Sequence, residues 1–164
     1  MAQIETPREL FVHKLGAALT MEEAILGMLE ELEQEANDPR LKQNLRHHHQ
    51  ETEQQVRNLE RAFEALGEEV ESQPCPTIDG LKKEGEQMLK NVEDELNDAV
   101  ILSGIVETEA HEIAVYDGLI TTAEAMGEED IVALFQENLE QEQATLKKGR
   151  DAKKQLARRE AQRV

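Results

Sequence analysis

The chain has 164 residues, enough for one domain with a buried core. It carries 36 acidic and 18 basic residues, a formal charge of −18, which argues against a phosphate-neutralising nucleic-acid binder. With no Trp, one Tyr and three Phe, it also lacks the makings of an aromatic platform for single strands, and the lone Cys75 excludes an intrachain disulfide or a Cys-rich zinc site. The solitary thiol fits a reducing cytoplasm. Glu5, Arg8 and Glu9 interrupt the N-terminus, so no signal-peptide core is expected there. The longest uncharged apolar run, Ala99–Val106, is too short to span a membrane.

Taken in chain order, Thr6 and Pro7 open the first helix, as N-cap and first-turn proline. Phe11, Leu15, Ala18, Ile25, Leu29 and Leu32 follow at spacings suited to one helix face. Asn37-Asp38-Pro39 reads as a stop and restart. A second stripe runs through Leu41, Leu45, Leu59, Phe63 and Leu66, and Gly67 ends it. Residues 67–77 form a loop, and Thr77 is expected to cap a short helix reaching Met88 or Leu89. A third long stripe starts near Leu96 and passes Ala99, Val106, Ile113, Ile120 and Ala123 before Gly127. The fourth begins near Ile131 and continues through Phe135, Leu139 and Leu146 into a basic tail.

The expected fold is therefore all-α: two antiparallel helical hairpins forming a four-helix bundle, joined by a long crossover that holds a short extra helix. Residues 1–150 make the bundle and 151–164 a basic helical extension or tail. Lys147, Lys148, Arg150, Lys153, Lys154, Arg158, Arg159 and Arg163 crowd that end. They complement a helix C-terminus, or they dock the tail on an acidic surface.

A few acidic residues break the apolar stripes. Glu22 falls in the series 15, 18, 22, 25, 29. His48 follows Leu41 and Leu45 in register, and Glu51 and Gln55 continue its face. Glu109, Glu112 and Tyr116 extend the line of Val106, and Glu142 lies between Leu139 and Leu146. In an antiparallel hairpin, residues equidistant from the turn share a level. Glu22 and Glu51 straddle the Asn37 turn, and Glu112 and Glu142 straddle Gly127. All four lie roughly 22 Å from their turns, which is mid-bundle in helices roughly 45 Å long. Carboxylates gathered in an apolar interior need protons or cations to neutralise them. A pair of Fe or Mn ions suits this oxygen-rich set, with the alternative that the stripes are one position out and the glutamates lie on the surface.

These residues resemble the YciE/YciF-type ferritin-like family, a stress-associated bacterial group. The resemblance covers about residues 8–150. It rests on Glu-Leu-Phe-Val-His at 9–13, Met-Glu-Glu around Glu22, His-His-Gln-Glu-Thr at 48–52 with Gln55, and Cys-Pro-Thr-Ile-Asp-Gly-Leu at 75–81. Glu-Ala-His-Glu-Ile-Ala-Val-Tyr at 109–116 and Glu-Asn-Leu-Glu-Gln-Glu-Gln-Ala-Thr at 137–145 complete it. The resemblance implies a ferritin-like bundle holding two Fe or Mn ions per chain. Glu22, Glu51, Glu109, Glu112 and Glu142 would be ligands, and His48 a ligand or the donor that orients one. The Glu-x-x-His pair common in di-iron bundles is absent: Gln54, Glu112 and Thr145 stand where the histidines would follow Glu51, Glu109 and Glu142. His47, His49 and His111 are expected outside the centre.

The implied function is stress defence by peroxide reduction or ferrous-iron oxidation, with Tyr116 as the candidate catalytic side chain or, alternatively, a core aromatic with a bonded hydroxyl. The competing readings are metal binding without turnover and a plain helical interaction module. The expected partners are a small oxidant, peroxide or O₂, and a second copy of the chain in a homodimer, with neither nucleic acid nor membrane.

Overall fold

The computed structural model describes residues 3–162. Thr6 begins α1 (Pro7–Glu35) with a capping box. Its hydroxyl accepts from Glu9 N–H at 3.1 Å, and the Glu9 carboxylate accepts from Thr6 N–H at 3.1 Å and Glu5 N–H at 2.7 Å. The carboxylate of Asp38 accepts from Arg40 N–H at 2.7 Å and starts α2 (Pro39–Leu66). Gly67 ends it in the left-handed conformation, φ 71°. The short α3 (Pro76–Leu89) starts one residue before the expected cap. Pro76 takes the first helical position, Cys75 stands at the N-cap, and Thr77 lies inside the first turn. A 3₁₀ turn at Asp94–Leu96 leads into α4 (Asn97–Met126), which Gly127 ends at φ 76°. The last helix, α5 (Glu129–Ala161), runs unbroken through the basic segment. Its cations from Lys147 to Arg159 are exposed, while Arg163 lies outside the described residues.

These helices form a four-helix bundle of two antiparallel hairpins, α1–α2 and α4–α5. In the ring, α2 packs on α1 and α5, and α4 packs on α5 and α1. The long crossover lets α2 and α4 start at the same end. There Asp98 of α4 accepts from the backbone N–H groups of Asn37 and Asp38 at 2.7 and 3.0 Å. At the other end Arg8 of α1 donates to the Leu66 carbonyl at 2.9 Å and pairs with Glu68 at 3.0 Å. Neighbours in the ring are thus antiparallel and diagonal helices parallel.

The crossover first runs back over α1. Gln73 N–H donates to the Gly16 carbonyl at 3.0 Å. A Cβ at Gly16 would collide with the Glu71 carbonyl oxygen and come within 2.7 Å of Gln73 Cγ, so only glycine admits this strap. From there α3 settles on α4 and α1, with Ile78 fully buried. Three helices therefore cover α4, which explains why its apolar residues spread around the helix instead of making one narrow stripe. Leu96, read from the sequence as the stripe's beginning, is 45 % exposed; burial starts with Asn97 and Ile101. The core between the hairpins includes Phe11, Leu15, Leu45, Phe63, Ile101 and Phe135. The Phe135 ring centroid lies 6.4 Å from those of Phe11 and Tyr116. Among the described residues, no helix is long and apolar enough to cross a membrane.

Candidate metal centre

A polar layer interrupts this core at mid-height. Glu22 enters from α1, His48 from α2, Glu109 and Glu112 from α4, and Glu142 from α5. None is more than 4 % exposed. Residues three apart share a helix face, so Glu109 and Glu112 project together from α4. One ligand atom each from His48, Glu109, Glu112 and Glu142 falls within 4.8 Å of the others.

The layer is short of hydrogen-bond donors. Both oxygens of Glu112 and of Glu142, one of Glu109 and one of Glu22 are buried without a partner. The nearest cation is His48. Its Nε2 lies 2.9 Å from Glu109 Oε1 and its Nδ1 3.6 Å from Glu51 Oε2, at ion-pair distance but without hydrogen-bond alignment. Native interiors seldom leave so many polar atoms unpaired, and each costs about 1–3 kcal/mol.

Burial shapes the protonation of the group. It pushes the Glu22 carboxyl up to about 7, against the pull of the Tyr116 hydroxyl. Burial and then the neighbouring carboxylates hold Glu112 and Glu142 well above the usual carboxylate range. For His48 burial alone works downward, but Glu109 and Glu51 outweigh it and raise the imidazole to about 9. Without metal the cluster is therefore a store of protons. Oxygen-rich, imidazole-poor and otherwise unpartnered, these side chains fit hard divalent or trivalent ions, which would displace the protons and use the free oxygens.

A hydrogen-bonded chain backs the cluster. The Tyr116 hydroxyl donates to Glu22 Oε1. The same hydroxyl accepts from Asn138 Nδ2 at 3.0 Å. Asn138 also donates to the Gln55 carbonyl at 3.3 Å, and its Oδ1 accepts from Asn58 Nδ2 at 2.8 Å. The Thr52 hydroxyl donates to the His48 carbonyl at 2.9 Å. All four helices of the bundle thus meet in one polar layer. Sequence reading missed Asn58, Asn138 and Thr52. The available signal was position: Asn138 falls three residues after Phe135 and four before Glu142, on the same buried face.

Of the candidates named from the sequence, the structure brings His48, Glu109, Glu112 and Glu142 into one group and joins Glu22 to it beside Tyr116. Glu51 stands at the edge. Its side chain is 20 % exposed, and its Oε1 lies 3.2 Å from His47 Nε2. His48 lowers the pKa of Glu51. His47 is exposed and His49 meets Glu30 at 3.2 Å, both turned away from the centre. His111 is half-buried, its pKa lowered by burial, and lies outside the group. Tyr116 is fully buried, and burial with Glu22 beside it holds the phenol well above its ordinary pKa.

The chain is similar to proteins of known sequence and structure along nearly its whole length. It is 27 % identical over 144 residues to YciF of Escherichia coli K12, covering 87 % of each chain. The crystal structure of that stress protein superposes with a TM-score of 0.86 at 26 % identity, over 92 % of this chain and 96 % of the other. YcfI from Rhodopseudomonas palustris, described provisionally as a structural protein, gives a TM-score of 0.88 at 33 % identity, over 90 % of this chain and 95 % of its own. A protein from Xanthomonas campestris pv. campestris shares the fold, with a TM-score of 0.75 at 20 % identity over 96 % and 98 % of the two chains. Residues 6–162 match the model of a domain of unknown function, DUF892. The chain therefore belongs to this DUF892, YciF-type family.

Proposed function

We propose that the chain is a dimetal carboxylate protein of stress defence, binding two Fe or Mn ions and reducing peroxide with electrons from ferrous iron. The single observation that carries this reading is the set of buried, unpartnered oxygens on Glu22, Glu109, Glu112 and Glu142 beside His48. Glu109, Glu112, Glu142 and His48 would hold the ions, with Glu22 and Glu51 completing the set from either side. When bound, such a pair supplies the two one-electron equivalents that cleave a peroxide O–O bond: H₂O₂, two electrons and two protons give two waters. A ferrous pair held by these residues would balance those electrons, one from each ion.

The chain's own residues supply the setting. The surrounding core leaves none of the cluster side chains more than 4 % exposed, with a half-open cleft reaching His48 and Glu109. Tyr116 fixes the rotamer of Glu22, and Asn138 fixes Tyr116. Binding the ions would displace the protons that burial keeps on Glu112 and Glu142 without metal. The stress role also draws support from the likeness to the E. coli stress protein YciF. A cytoplasmic setting and a homodimer belong to the same proposal.

Elemental analysis of protein expressed with added iron and manganese tests it, beside a Glu112→Gln/Glu142→Gln variant. About two ions per wild-type chain, lost in the variant, support the centre. No metal in the wild type overturns it. A metal-loaded chain that consumes no peroxide when given ferrous iron would instead favour binding without turnover.

A further inference from the structure

A half-open cleft of 670 Å³ lies between α1, α3 and α4 and reaches inward to His48 and Glu109. That volume suits a small molecule. Its wall is mainly apolar, with Ile25, Leu29, Leu81, Leu89 and Ile101 among the lining side chains.

Two features separate this cleft from an accidental packing gap. The first is a pair of glycines in its wall, Gly85 of α3 and Gly104 of α4. Each lies in a helix interior, where glycine costs about 1 kcal/mol relative to alanine. A Cβ on either would meet nothing within 4 Å, so helix packing does not demand them. Their effect is to leave the cleft open. The second is its inner end. Glu109 is 2 % exposed and its Oε2 has no hydrogen-bond partner, which leaves a buried acceptor at the bottom of an apolar slot.

Charge selects the occupant. Glu31, Glu35, Glu84, Glu86 and Glu107 line the cleft against two lysines, Lys82 and Lys90, and Lys82 is already paired with Glu31 at 3.3 Å and Glu86 at 3.8 Å. Along the wall the carboxylates outnumber the lysines and repel an anionic head, while at the inner end Glu109 is paired with His48 at 2.9 Å. We propose that the cleft binds an uncharged molecule with an apolar tail and a hydroxyl or hydroperoxide head, the head donating to Glu109. An alkyl hydroperoxide belongs to this class, and that identification rests on the peroxide chemistry proposed above. The binding itself does not.

The test is a fluorescence titration of the metal-free full chain with Nile red, a neutral apolar dye, followed by displacement with 1-dodecanol or dodecanoate at pH 8. The expected result is one saturable dye site per chain, displaced by dodecanol at a concentration at least tenfold lower than by dodecanoate. Gly104→Leu, and independently Gly85→Leu, should weaken dye binding at least tenfold while the melting temperature holds or rises. Gly118→Leu, at an exposed position of α4 outside the cleft, should leave it unchanged. Absence of a saturable site, displacement by dodecanoate equal to that by dodecanol, or unchanged binding in both cleft variants would overturn the proposal. So would a homodimer that binds no dye and separates on Met88→Glu or Leu96→Glu, because a second copy would then cover this face. Metal content measured on the same samples distinguishes the two readings. Dye binding retained in a metal-free Glu112→Gln/Glu142→Gln variant leaves the cleft site standing without the centre, and metal retained with no dye site does the reverse.

Discussion

Tyr116 on α4 and Glu22 on α1 share a hydrogen bond in the middle of the bundle, and the phenol stands between that carboxylate and Asn138 of α5. Two hairpins are tied together through one hydroxyl. Tyr116→Phe removes the donor to Glu22 and the acceptor for Asn138 in one step. The variant should lose about 1–3 kcal/mol of stability. It should keep its metal, because Glu109, Glu112, Glu142 and His48 are untouched. Chemical denaturation and elemental analysis check this pair of outcomes. Peroxide turnover unchanged in the metal-loaded variant would confine Tyr116 to positioning.

The stability of the metal-free chain should fall as pH rises from about 5 to 9. Burial holds folded Glu22 at about 7 against an ordinary 4.5, so between those values the folded chain keeps a proton that the unfolded chain releases. His48, at about 9 against 6.5, works in the same direction, and its stabilising contribution is lost as pH climbs through 9. Thermal melts in EDTA measure the slope. In Glu22→Gln the pH 5–7 part of it should flatten, which separates this proton from the general repulsion of an acidic surface. A melting temperature that rose across this range in EDTA would contradict the protonated cluster.

Replacing a cluster carboxylate by an apolar residue of comparable size should separate stability from metal binding. Glu142→Leu removes two unpartnered oxygens and a carboxyl that burial keeps protonated beside Glu112. A buried polar group left without a partner costs about 1–3 kcal/mol, which an apolar side chain does not incur. The metal-free variant should therefore melt several degrees higher than metal-free wild type while binding less metal. A lower melting point would show that Glu142 has a structural partner in solution.

Gly16→Ala should loosen the crossover. The added methyl displaces the Glu71 carbonyl and the Gln73 side chain and strains the Gln73–Gly16 hydrogen bond. Overpacking of this kind costs about 1–3 kcal/mol. Hydrogen exchange at the Gln73 amide should accelerate before that of the bundle core. Wild-type exchange at Gln73 together with wild-type stability would show that the strap moves aside without cost.

Local chemistry made most of the fold legible. Thr6, Asp38-Pro39, Gly67 and Gly127 act on their own backbone, so their residue types announce helix ends directly. The Gly127 turn also placed Glu112 and Glu142 at one level, and both lie in the buried layer. The α1–α2 hairpin was harder to read. From Leu45 to Leu59 the only intervening apolar residue is Val56. With so little to mark a face, both His48 and Glu51 fitted the stripe, although His48 is buried and Glu51 stands at the edge. Asn58 and Asn138 find each other across α2 and α5, the strap at Gly16 depends on residues more than 50 positions away, and the cleft depends on where α3 settles. None of these leaves a local mark.

The division of the bundle into hairpins also divides the polar layer. The first hairpin brings Glu22 and His48; the second brings Glu109, Glu112 and Glu142. Either half alone can form its helices while its carboxylates remain hydrated and charged. The cost of desolvating them arises only when the two apolar faces meet, so it falls on docking and not on helix formation. The crossover then acts as a tether that keeps the halves at high effective concentration through that costly step. A nick within the exposed stretch 69–72 would remove this advantage and leave reassociation of the halves dependent on whatever neutralises the acids they bury.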